Sequence, residues 1–226
     1  MRPARLSAVV VLGIFAVSGT VACAKQHKAA EQGKAAQPSA TQPSKDQAKQ
    51  PAMDPQKQAA MEAMKKLGSP SEGHKALQPL AGVWNYTAQW WISPESKPQS
   101  MKGTAVNNIV FGGRFLKEEI IGQAEGEPPF EGLGFTGYDN LRKEYQTIWF
   151  DNMNTSMMRG VGQFDAATKT LTDQGDFSCP ITGETHRWYR TAWTVTDKDH
   201  TTYESYSKTP DGKEFKSLEI KYTRVQ

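Results

Sequence analysis

Cysteine is nearly absent from this chain. Two occur in 226 residues, Cys23 and Cys179, so no disulfide framework stands in for a packed core. Histidine is almost as scarce. The four, His27, His74, His186 and His200, form no i, i+4 pair, and neither a His-x-His nor a Cys-x-x-Cys pattern occurs, which leaves a metal centre without a ligand set. No serine sits in a Gly-x-Ser-x-Gly elbow, and no glycine-rich phosphate loop precedes a helix. No basic stripe with interleaved aromatics marks a nucleic-acid surface. Nothing in the sequence calls for a cofactor. The apolar run at residues 8–17 is too short to span a bilayer.

That run has another reading. Arg2 and Arg5 precede it as a charged region, and Gly19-Thr20-Val21-Ala22-Cys23 follows it. Small residues ending in cysteine resemble a bacterial lipobox, so residues 1–23 are expected to be a lipoprotein signal with Cys23 as the lipidated residue. Thr20 stands where leucine is usual. The competing reading is ordinary signal-peptide cleavage at Ala22-Cys23-Ala24, an A-x-A-like site, which would release the protein. Ala24 rather than aspartate after the cysteine favours the outer membrane, facing the periplasm, over the inner one.

Residues 24–53 hold Ala, Gln, Lys, Pro and Ser and no Phe, Tyr or Trp. Such a composition does not bury enough apolar surface to fold, and it reads as a polar tether. The first 69 residues carry 10 basic and 4 acidic side chains, and the rest 17 and 20. The overall charge of +3 is therefore a basic leader on a mildly acidic domain. A helix is expected after the tether: Asp54 caps it, Pro55 opens it, and Gly68 ends it. Ala60, Met64 and Leu67 share one face with Met61, which predicts a lid packed on the end of the domain.

From Gly82 onward the period is two. Trp84, Tyr86, Ala88, Trp90 and Ile92 share one face and Asn85, Thr87 and Gln89 the other. Further strands are expected over 101–111, 114–121, 132–138, 144–150, 156–164, 170–177, 184–195, 201–207 and 214–225. Turn chemistry separates them, as in Gly112-Gly113, Asp139-Asn140 and Pro210-Asp211-Gly212. About ten short-looped strands with no crossover helix predict an all-β fold, an up-and-down antiparallel barrel, since closure removes exposed edges. A sandwich is the alternative. Gly82-Val83-Trp84 on the first strand and Arg224 on the last predict a floor in which the guanidinium lies on the indole. A barrel of this size has room for one small ligand.

Several motifs in order resemble the DUF1579 family. They are His74-Lys75-Ala76-Leu77, Gly82-Val83-Trp84, Gly112-Gly113-Arg114-Phe115-Leu116, Gly137-Tyr138-Asp139, Trp149-Phe150-Asp151, Thr182-Gly183 and Tyr222-Thr223-Arg224. The resemblance runs from about residue 61 to residue 224. It implies a lipocalin-like barrel and carries no family catalytic residues. Helix and barrel together are expected to form one domain over residues 54–226.

Within such a barrel, Tyr138, Trp149 and Trp188 are the expected cavity walls, and Arg114 the polar anchor. Asp151 shares a strand face with Tyr145, Thr147 and Trp149. A small apolar or amphipathic ligand is the first expectation. An enzyme using Asp151 and Arg114 for proton transfer or hydrolysis is the second, and a ligand-free envelope scaffold the third. Haem is a further alternative. His186 would then be the axial ligand, with His200 next, although a polar residue on the barrel wall explains either. Cys179 reads as a small residue at a strand end, with no cation beside it in sequence.

Overall fold

A computed structural model describes residues 53–226. The signal segment, Cys23 and all of the tether but Met53 lie outside the described residues. Helix α1 spans Pro55–Leu67. The Asp54 carboxylate accepts the Gln56 N–H at 2.8 Å, and the Gly68 N–H bonds Met64 O. The expected lid is not there. No residue of α1 is buried, and Met61 and Met64 are 51% and 74% exposed. Its apolar face is narrow, and the segment after it already closes the barrel. Contacts gather at its C-terminal end, where Asn140 Nδ2 donates to Leu67 O and Ser69 O and Arg114 Nε to Gly68 O.

The closure comes from α2 (Glu72–Lys75) and a 3₁₀ turn (Gln78–Leu80). They place Leu77 and Leu80, each 2% exposed, across the end of the barrel. His74 is buried here, its Nδ1 accepting the Ser71 N–H at 2.9 Å. Burial, then Arg114, holds its pKa below the ordinary value.

Ten strands follow: β1 (Gly82–Trp90), β2 (Gln99–Val110), β3 (Phe115–Gln123), β4 (Phe130–Asp139), β5 (Glu144–Asp151), β6 (Met158–Asp165), β7 (Thr170–Phe177), β8 (Arg187–Val195), β9 (His200–Lys208) and β10 (Glu214–Arg224). Each pairs antiparallel with the next, and β1 pairs with β10, so the sheet closes as an up-and-down barrel. The sandwich alternative is excluded. The closing register sets Trp84 opposite Arg224 and Trp90 opposite Leu218. Burial alternates along β1, with Trp84, Tyr86 and Ala88 inward and Asn85, Thr87 and Gln89 outward, as period two requires.

The floor is built around Trp84, which is 1% exposed. Its indole N–H donates to Leu80 O at 3.0 Å, and Asn107 Nδ2 donates to the same carbonyl. The Arg224 guanidinium lies 4.0 Å over the indole. Its three nitrogens donate to Lys198 O, Ala81 O and Pro79 O at 2.7–2.9 Å. Gly82 stands at φ +135°, and a side chain there would strike Arg224 Nη1. The glycine thus leaves the space that the guanidinium occupies.

Candidate functional site

Strand parity decides what faces the interior. On β3, Leu116 and Ile120 are buried, so Glu118 between them points inward as well. On β7, Leu171 and Asp173 are buried, and they alternate with outward Gln174 and Asp176. Two carboxylates therefore stand inside the barrel, on strands four apart in its order.

Glu118 Oε1 accepts the Tyr222 hydroxyl at 3.1 Å. Burial pushes its pKa up to about 7, against the bond from Tyr222. Asp173 Oδ2 accepts the Thr191 hydroxyl at 2.8 Å, while Oδ1 is buried with no hydrogen-bond partner. Burial raises this carboxyl to about 6, opposed by Thr191 and then by the nearby Thr147 hydroxyl. Gly160 keeps the place open. A methyl group there would meet Asp173 Oδ1, Thr147 Oγ1 and Tyr189 OH at once, so these three atoms converge on one point.

Tyrosines join the two carboxylates into a belt. Burial and then Glu118 push the Tyr86 phenol up to about 12. Burial, then Asp173, Tyr189 and Glu118, hold Tyr203 well above its ordinary value. Tyr222 is raised by burial and then by Glu118. A neutral phenol beside a carboxylate donates a hydrogen bond and stabilises it without adding charge.

Below the belt the interior is solid, with Trp84, Leu77, Leu80 and Leu116 at 1–2% exposure. Above it Ala88, Ile120, Ile220 and Tyr189 are buried as well, while Phe130, Trp149, Met158 and Phe177 keep some accessible surface. Phe130 stacks on Trp149 with centroids 6.5 Å apart. The Trp149 ring lies against Gly132 and Gly134, where any side chain would displace it. The barrel is thus closed at the floor, and partly exposed inward side chains stand toward the other end.

The structure scatters the residues expected from sequence. Trp149 and Asp151 face inward, with Trp149 Nε1 donating to Asp151 Oδ2 at 2.9 Å. Asp151 Oδ1 accepts the Met153 N–H, so both oxygens are used in holding the indole and the β5–β6 loop. Tyr138 is inward but sits near the floor, against Tyr145 and His74. Arg114 is not an interior anchor: it bonds Gly68 O and Phe111 O on the floor side. It begins the strand region where Asp151 ends its own, so the two stand at opposite ends of the barrel. They share no proton, and the Asp151–Arg114 enzyme reading loses its pair.

Trp188 faces outward under Lys208 Nζ, because the buried neighbour Tyr189 takes the inward position. His186 is 82% exposed and pairs with Asp176. His200 pairs with Asp197 in a turn. Neither histidine reaches the interior, so neither offers an axial ligand to a group held there. Cys179 is buried in the β7–β8 loop. Burial pushes its thiol up, but the Thr182 hydroxyl, two loop N–H groups and then Arg187 bring its pKa below the ordinary value. A cation is therefore near it in space, although none is near in sequence.

Glu118 and Asp173 escaped the sequence reading. The signal was there in the alternation: Leu116-x-Glu118-x-Ile120 and Leu171-x-Asp173 each put an acid on the apolar side of a strand. Among the described residues no cluster of three or more potential metal ligands occurs.

The profile of the family described as "Protein of unknown function (DUF1579)" matches residues 69–224. No curated protein matches the chain. Among solved structures, the fold is similar to that of Rv2717c from M. tuberculosis. That pair is 15% identical, covers 70% of this chain and 100% of the other, and has a TM-score of 0.53. A de novo designed fluorescence-activating barrel is 16% identical over 66% of this chain and 97% of its own, at a TM-score of 0.37. A redesigned barrel bound to DFHBI, mFAP0, is 16% identical over 65% of this chain and 100% of its own, at 0.36. The likeness to Rv2717c is one of fold, and the two designs are similar in outline alone.

Proposed function

The chain belongs to the DUF1579 family, and from that premise and the barrel's interior we propose that it is a binding protein for a small amphipathic molecule. The observation that carries this reading is Asp173 Oδ1, buried without a partner beside Gly160 in a barrel closed at one end. A buried acceptor left unpaired costs roughly 1–3 kcal/mol. A polar group of a ligand removes that cost, while Trp149, Phe130 and Phe177 supply apolar walls for its body. Arg114 and Trp188 do not face this interior, and Trp149 does.

Native mass spectrometry of the full-length protein purified from its own host is the test. A bound small molecule is expected, lost on denaturation, and its removal is expected to lower the melting temperature. A homogeneous ligand-free mass, with no change of stability on extraction, would favour a filled scaffold instead.

The same reading places the barrel in the cell envelope through a lipid on Cys23. The charged n-region, the short apolar run and the small residues before the cysteine support it. Dual or triple acylation gives stable anchoring where a single chain does not. Cys23→Ser is expected to move the protein from the membrane pellet to the soluble periplasmic fraction. Wild type found equally soluble, with Ala24 or Lys25 at its N-terminus, would replace anchoring with simple export.

A further inference from the structure

We infer that the occupant of the barrel carries a cationic nitrogen, an organic ammonium or amidinium held by Asp173 and Glu118. This rests on the binding reading above and adds the charge of the ligand to it.

At mid-height the interior has acids without bases, and its one inward arginine, Arg187, stands at one end of β8. Glu118 and Asp173 face inward at mid-height, and among the described residues no lysine or arginine pairs with either. The two arginines nearest the interior are already engaged. Arg187 bonds Glu184 at 2.6 Å. Arg224, in the floor, gives its guanidinium to three carbonyls. A buried carboxylate with no counter-ion is costly, and hydrogen bonds from Thr191 and Tyr222 offset part of that cost.

The remaining acceptor capacity points to a donor. Asp173 is 8% exposed, and Oδ1 takes no hydrogen bond. An ammonium N–H satisfies the oxygen and the charge together, which a hydroxyl or an amide does only in part. The surroundings suit a cation for a second reason. Tyr86, Tyr203 and Tyr222 are aromatic neighbours of the two acids, and desolvated cations are stabilised over such rings. A carboxylate or phosphate ligand meets two like charges there and is disfavoured. A bare metal ion finds too few ligands, since three or more do not come together among the described residues.

The test uses matched probes with the delipidated full chain, free of co-purified ligand, at pH 7.5. Phenethylamine, 2-naphthylmethylamine and dodecylamine are each compared with the alcohol and the carboxylic acid of the same body. Tryptophan fluorescence and calorimetry read the binding. At least one amine is expected to bind tenfold or more tightly than its alcohol, with its acid weaker still. Asp173→Asn and Glu118→Gln, both near-isosteric, are expected to reduce that preference to threefold or less. An alcohol or acid binding as well as its amine overturns the charge assignment and leaves the binding reading standing. No binding by any probe overturns this inference; a co-purified neutral molecule in the mass spectrum would then preserve the binding reading alone. The wild-type comparison decides the matter even where a variant does not fold.

Discussion

Trp84→Ala is expected to lower the melting temperature by about 10–15 °C. The indole is the largest fully buried side chain of the described residues. Truncating such a group costs about 3–5 kcal/mol, and for a domain of this size each kilocalorie corresponds to roughly 2–4 °C. The change also strips Arg224 of its stacking surface. Arg224→Ala is expected to be milder, about 2–3 kcal/mol, since it forfeits hydrogen bonds to three carbonyls and one cation–π contact. In a double-mutant cycle the pair should couple by about 1 kcal/mol or more. Additive losses in thermal and urea unfolding would mean that the contact at 4.0 Å contributes nothing beyond the two separate environments.

The protein is expected to be more stable at pH 5 than at pH 8, by roughly 2–4 kcal/mol. Two groups set the sign. Glu118 and Asp173 have pKa values raised to about 7 and about 6 in the folded protein, against about 4 when unfolded. The folded state therefore holds protons that the unfolded state has released. Their contribution is fully present below about pH 4 and is lost as the pH rises through 6 and 7. The groups facing them are tyrosines, Tyr86, Tyr222, Tyr203 and Tyr189 from β1, β10, β9 and β8, and their raised values keep them neutral throughout. His74 opposes the trend in part, because its lowered pKa favours the folded state as the pH rises. The exposed acids with lowered values, such as Asp139 and Asp211, act only below this window. Urea unfolding at the two pH values checks the prediction. Glu118→Gln with Asp173→Asn should flatten the profile, and a wild-type stability that rises from pH 5 to pH 8 would refute it.

Most of the barrel was legible because its strands alternate and its turns carry Gly, Asp, Asn and Pro where reversal demands them. Trp84 and Arg224 could be placed together because closure of an up-and-down sheet makes first and last strands neighbours. The misreadings have physical causes. Arg187-Trp188-Tyr189-Arg190 alternates nothing, since each face receives one aromatic and one arginine. Only the packing of Tyr189 against Phe177, at 6.1 Å, fixes the parity and turns Trp188 outward. Helix α1 has the sequence of a lid, but the hydrophobic segment after it reaches the floor first. Glu118 sits in Lys117-Glu118-Glu119, where charges on both faces hide the inward one. Nothing in a single sequence says that Gly160 lies beside the Asp173 carboxylate, diagonal to it across the β6–β7 pair, because that depends on register.

The guanidinium in the floor also dictates when the protein can finish folding. Arg224 joins carbonyls some 145 positions earlier in the chain, and β1 has β10 as its second partner. Until β10 docks between them, β1 and β9 each lack one neighbour and leave two open edges. Closing so long a loop is slow, because its entropy is lost before the contacts that reward it are made. An open edge during that interval is a template for pairing with another chain. A chain that ends before residue 214 lacks the closing strand and is thus the species most exposed to aggregation.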